Sequence, residues 1–157
     1  MKLTVILILA AFGFAFPAFS QDDKATVTDE ELMKYAEVMD SINEMTASVR
    51  IMLSDMVKEN DSISAARYNE LSKIAADDAK LAEAKATPEE IAFVKEVAAK
   101  KSEETAKINE AYQKLAKDYV TVPVFNKVKK ALANDASLKT RYESLMAELG
   151  KDDPSGA

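Results

Sequence analysis

The chain gives one helix-opening signal twice: Thr28-Asp29-Glu30-Glu31 is followed 59 positions later by Thr87-Pro88-Glu89-Glu90. Behind the first opening come Ile63, Tyr68-Asn69, Leu71 and Asp78 with Leu81. Behind the second, 57 positions on, come Val120, Phe125-Asn126, Val128 and Asp135 with Leu138. Marks kept in one order at a near-constant spacing predict a tandem repeat, with one copy over 28–86 and the other over 87–149. Such a duplication constrains the fold before composition is weighed, because a unit with one apolar face must cover that face against another element.

Each copy reads as helix. Thr28 with Glu31 makes a capping box, in which hydroxyl and carboxylate satisfy free backbone N–H groups. From there Leu32, Tyr35, Met39, Ile42, Val49, Leu53 and Met56 fall on one stripe, interrupted at Thr46. Asn60-Asp61-Ser62 ends it, so the first helix is a rod of about 45 Å at ~1.5 Å per residue, in need of partners along its length. Ser62 or Ser64 caps a second helix carrying Tyr68, Leu71, Ile74 and Ala75, with a kink at Asp77-Asp78 and a last piece to about Ala86. The short loop between these two predicts that they run antiparallel.

Thr87 caps the third helix with Pro88 at its first position, where the missing N–H is no loss. Its stripe is Ile91, Val94, Ala98, Thr105, Ile108, Tyr112, Leu115 and Tyr119. Its other side offers Glu96 to Lys100, Glu103 to Lys107 and Glu110 to Lys114, each four apart. Thr121 and Pro123 restart the chain through Val124, Val128 and Leu132 to a break near Asn134-Asp135, and a final helix uses Leu138, Tyr142, Leu145, Met146 and Leu149 before Gly150. No mature segment alternates with a strand period. The expected fold is all-α, an elongated antiparallel helical bundle made from a tandem long-helix/short-helix repeat.

The ends read differently. Lys2, an apolar run from Leu3 to Phe16, and small Ala18 and Ser20 before Gln21 predict a secretory signal peptide over 1–20, cleaved after Ser20. The run is too short for a comfortable membrane span, and none is expected after cleavage. A periplasmic location follows, with secretion as the alternative. Polar Gln21–Val27 and Gly150–Ala157 are expected to be disordered.

Composition then removes function classes. The chain holds 21 basic residues, and loss of Lys2 leaves 20 against 27 acidic ones, a net of −7. Nucleic acid and anionic lipid are thus not expected as partners. No cysteine is present for a disulfide or a lipid anchor. With no histidine either, the usual catalytic base and nucleophile are missing. No glycine lies between Gly13 and Gly150, so a glycine-rich phosphate loop cannot form.

Five groups of residues invite a sharper reading. Met33, Met39, Met45, Met52 and Met56 offer soft metal ligands, yet they sit on or near the apolar stripe, where thioethers fill gaps. Asp77-Asp78 and Asn134-Asp135 offer oxygen ligands at a bend, but Asp78 or Asp135 as helix cap is the simpler reading. Asn69 and Asn126 fit helix register or plain surface, Arg67 and Glu70 fit a local ion pair of the exposed kind that marks no site, and Glu103-Glu104 point to different sides of a charged run. No catalytic, cofactor-binding or metal-binding residue is therefore assigned, and an enzyme is not expected.

The repeated marks resemble those of the exported bacterial helical proteins grouped as domain of unknown function 4168 (DUF4168). The pattern is Thr-Asp-Glu-Glu-Leu at Thr28–Leu32, Arg-aromatic-Asn-Glu-apolar at Arg67–Leu71, and Asp-x-x-Leu at Asp78 with Leu81. In the second copy Val124 stands in place of the arginine and Lys127 in place of the glutamate. Where members commonly carry Gly-Leu before the aromatic, this chain has Ser62-Ile63 and Tyr119-Val120. The likeness covers about Val27 to Leu149 and implies an exported helical bundle without an assigned activity. The expected function is a non-catalytic envelope protein acting on an envelope or periplasmic protein partner. A holdase chaperone or carrier of apolar cargo is the alternative, and a homo-oligomer fits either.

Overall fold

The computed structural model describes residues 26–151 and is all-helical there, with no strand among the described residues. The helices are α1 (Asp29–Lys58), α2 (Ala65–Leu71), α3 (Asp78–Glu83), α4 (Pro88–Lys114), α5 (Val122–Asn134) and α6 (Ala136–Leu149), with a π-helical turn at Leu115–Tyr119. The expected signal peptide, Gln21–Ala25 and Asp152–Ala157 lie outside the described residues.

Both capping boxes form as their residues require. Thr28 Oγ1 accepts from the Glu31 amide at 3.2 Å while Glu31 Oε2 accepts from the Thr28 amide at 2.9 Å. Thr87 and Glu90 repeat both distances. The residue before each cap is apolar and packs inward, as in a hydrophobic staple. Here the expectation of disorder up to Val27 is corrected: Val27 is 7% exposed and shares a cluster with Leu32, so its burial ties down the chain before α1.

The core comes in two pieces. The first gathers Val27, Leu32, Tyr35, Val38, Ala116, Val120, Phe125, Val128 and Leu138. The second gathers Ile63, Leu71, Leu81, Phe93, Val94 and Val97. Each joins the start of one long helix to the end of the other, since Tyr112 and Leu115 of the α4 end pack on the first, and Leu53, Met56 and Val57 of the α1 end on the second. Between them lies a waist, with nothing buried from Met39 to Ser62 or from Ala98 to Leu115.

Three sequence expectations shift here. Thr46 is exposed, its hydroxyl donating to the Ile42 carbonyl at 2.7 Å, but the α1 stripe passes beside it through half-buried Met45 to Val49 and Met52. The helix through Ile74 and Ala75 stops at Leu71 instead of kinking at Asp77-Asp78. On α4 the stripe does not reach Tyr119: the π turn inserts an extra residue, burying Ala116 and Val120 and leaving Tyr119 46% exposed.

Candidate functional site

Two clasps hold the short helices against the starts of the long ones. Arg67 of α2 donates from Nε to Glu90 Oε1 at 3.0 Å, from Nη1 to Glu70 at 2.9 Å, and from Nη2 to the Ala84 carbonyl at 2.8 Å. Lys127 of α5 donates to both Glu31 carboxylate oxygens, at 2.8 and 2.6 Å. In each case the acceptor is a capping-box glutamate, already oriented by the backbone amide it caps. The Arg67 guanidinium, then the Thr87 amide, hold the Glu90 carboxyl below the usual carboxylate range; Lys127, then the Thr28 amide, do the same for Glu31. These are fixed, satisfied ion pairs, and they leave no free group for chemistry.

The local Arg67–Glu70 pair was legible in the sequence and forms, but the distant partners were missed, with 23 positions between Arg67 and Glu90 and 96 between Lys127 and Glu31. A signal was nevertheless present. Lys127 stands 57 positions after Glu70 with the opposite charge, and Val124 stands 57 positions after Arg67. Each stretch thus holds one such cation, the two offset by about one helical turn.

The weighed residues separate. Asp77, not Asp78, caps α3 by accepting from the Lys80 amide at 3.1 Å, and that bond, ahead of the Lys80 side chain, lowers its pKa. Asp78 is exposed and pairs with Lys95 at 2.6 Å. Asp135 caps α6 through the amides of Ser137 and Leu138. Among the described residues no three such side chains meet in a way that could hold a metal ion. Asn69 and Asn126 are both exposed. Met39 packs on the first core, Met56 on the second, and Met33 is 37% exposed.

Of the three pairs foreseen on α4, Glu103–Lys107 forms at 2.7 Å. Lys100 turns instead to Glu103 and Glu104, and Lys107 reaches Glu104 as well, so four charges interlock along the waist. Among the described residues, Met33, Leu145, Glu148 and Leu149 line a shallow open dent, too small and open to enclose a substrate. No helix among the described residues is long and apolar enough to cross a membrane.

The most distinctive surface is the waist of α1. From Asn43 to Ser54 it carries only Glu44 and Arg50 as charges, and Ile51 is 46% exposed. The stretch 59 positions on, Ser102 to Gln113 of α4, carries Glu103, Glu104, Lys107 and Glu110. One side of the waist is thus ionic and the other nearly uncharged.

No protein-family model matches the chain, and neither the curated proteins nor the solved structures contain a significant match.

Proposed function

We propose that this is an exported, non-catalytic helical protein of the bacterial cell envelope, related to domain of unknown function 4168 and acting through protein–protein interaction. Its architecture is an elongated antiparallel bundle from a tandem repeat. Support for the repeat comes from burial: Ile63 and Val120, Leu71 and Val128, and Leu81 and Leu138 are matched by the 57-residue spacing, and all six are buried. Support for the antiparallel course comes from the exchange of helix ends between the two cores.

The observation that carries the interaction reading is the weakly charged waist of α1 with its exposed Ile51. There Ile51 stands exposed among uncharged Asn43, Thr46, Ser48 and Ser54, and depletion of charge around such a side chain is the compositional mark of an interface core. The test is in-cell cross-linking in the native host from a photoreactive residue at Ser48, with Lys101 of α4 as control and mass spectrometry of the products. One or two stoichiometric envelope proteins captured from Ser48 alone support the reading; capture of no protein from either position overturns it.

A holdase or carrier is favoured by a different observation, the half-buried thioethers of Met45 and Met52 between two closed cores, since flexible methionines suit varied apolar clients. It requires a broad set of unrelated products in the same experiment and suppression of aggregation by the purified protein. Sedimentation separates a monomer from a pair joined through α1.

A further inference from the structure

We propose that Met45 and Met52 form an oxidation-sensitive hinge, at which a peroxide loosens α1 from α4 between the two cores. The two thioethers are half-buried, neither sealed from small oxidants nor displayed on the surface. They lie seven positions apart on the stripe that joins Ile42, packed on the first core, to Met56, packed on the second. With Val49 they are the apolar side chains by which α1 spans the waist. The α4 stretch between the cores adds half-buried Lys100, Glu104 and Ile108, so little apolar surface is in reserve.

A second observation falls at the same level. Thr46 donates its hydroxyl to the Ile42 carbonyl and Thr105 donates to the Lys101 carbonyl, both at 2.7 Å. A threonine bonding back to the carbonyl four residues earlier slightly destabilises a helix and often bends it. Both long helices carry one where the core is thinnest.

The chemistry is a two-electron oxygen transfer. The thioether sulfur attacks one peroxide oxygen, an S–O bond forms as the O–O bond breaks, and the departing hydroxide takes the proton of the transferred oxygen and leaves as water. The product sulfoxide is polar and disrupts apolar packing. Met39 and Met56 are backed by the clusters they pack on, Met33 supports neither, and half-buried Met146 lies on α6 rather than on either long helix. Met45 and Met52 are therefore the positions where a sulfoxide opens the seam without unfolding a core. The inference stands apart from any partner the protein meets.

The experiment treats the full-length protein with hydrogen peroxide, maps sulfoxides by peptide mass spectrometry and follows backbone hydrogen exchange. Sulfoxide at Met45 and Met52 should raise exchange across 42–54 and 98–111 by about tenfold while the two cores change by less than about twofold. The double variant Met45→Leu/Met52→Leu should lose the response. Met45→Gln/Met52→Gln should show the raised exchange without peroxide, so the idea stays testable should the leucine variant fold poorly. Oxidation confined to Met33, or sulfoxides at Met45 and Met52 with unchanged exchange, overturns it.

Discussion

The two cores do the same task with different material. The first is aromatic: Tyr35 lies 4.7 Å from Phe125 and 5.8 Å from Tyr142, and Tyr112 lies 5.4 Å from Phe125. The second is aliphatic, with the single pair Tyr68–Phe93 at 6.1 Å but four of the seven fully buried side chains, Leu71, Leu81, Val94 and Val97. Their helices differ in proportion. The first core is covered by α5 and α6, of 13 and 14 residues, the second by α2 and α3, of 7 and 6. Helices that short are unstable alone and depend on tertiary anchors. The comparison teaches that Arg67, with its bonds to Glu90, Glu70 and Ala84, does for the second core what helix length does for the first.

The largest expected effect tests the aromatic material. Phe125→Ala removes the ring shared by Tyr35 and Tyr112 and should cost about 4 kcal/mol in denaturant unfolding, within the usual range for a buried phenylalanine. Phe93→Ala, with one aromatic neighbour, should cost about 3 kcal/mol, the gap reflecting ring–ring contacts. An equal or reversed order would mean that the aliphatic core is the stronger one.

Next in size are the clasps. The Arg67 and Glu90 side chains are only 24% and 14% exposed, so their bond is worth more than a surface pair. Arg67→Met should cost about 2 kcal/mol and raise hydrogen exchange across 65–86 while 122–149 stays protected. Lys127→Met removes one bridge from helices that are long enough without it and should cost about 0.5–1 kcal/mol. Were the two costs alike, the argument from helix length would be wrong.

These outcomes bear on what the sequence could disclose. The long helices were legible because their caps and stripes are local: Thr28–Glu31 and Thr87–Glu90 act within one turn. Ile63 and Val120 stood out by their common spacing, and both are buried. What sequence could not supply were effects set by distant partners. The clasps join residues remote in the chain, and the π turn is invisible to a fixed period of 3.6 residues, so Tyr119 was placed inward when it reaches out to donate to Glu37 at 2.5 Å. The short α2 escaped for the same reason, since Ile74 and Ala75 do face the second core, but from a turn rather than a helix.

The pH limits sharpen the contrast between the cores. Glu31 and Glu90 are depressed in the folded protein, so the unfolded chain binds protons more readily, and their stabilisation, present above about pH 4.3, is lost as pH falls through their folded values. Glu31→Gln/Glu90→Gln should flatten that acid limb of stability. At the other end burial raises Tyr35, Tyr112 and Tyr142 in the first core and Tyr68 in the second. Their contribution is complete below about pH 10 and declines as pH rises through the folded values. With three such groups against one, hydrogen exchange above pH 10 should show the first core opening before the second, and the opposite order would break the comparison.

The smallest effect concerns the two chain reversals made without glycine. Lys85 follows α3 at φ 53°, with the Ala86 amide bonded to the Leu81 carbonyl and the Lys85 amide to that of Ala82, the pattern of a Schellman stop. Thr121 enters α5 at φ 74° and makes no side-chain cap. A β-branched residue tolerates positive φ less well than lysine does. Thr121→Gly should therefore stabilise by about 1 kcal/mol and Lys85→Gly by somewhat less, because glycine adopts either backbone without strain but adds freedom to the unfolded chain. Thermal unfolding of the two variants reads the difference directly. A gain at Lys85 alone would show that the exit from the π turn is relaxed, and that the first core keeps its tighter connection at no cost to the fold.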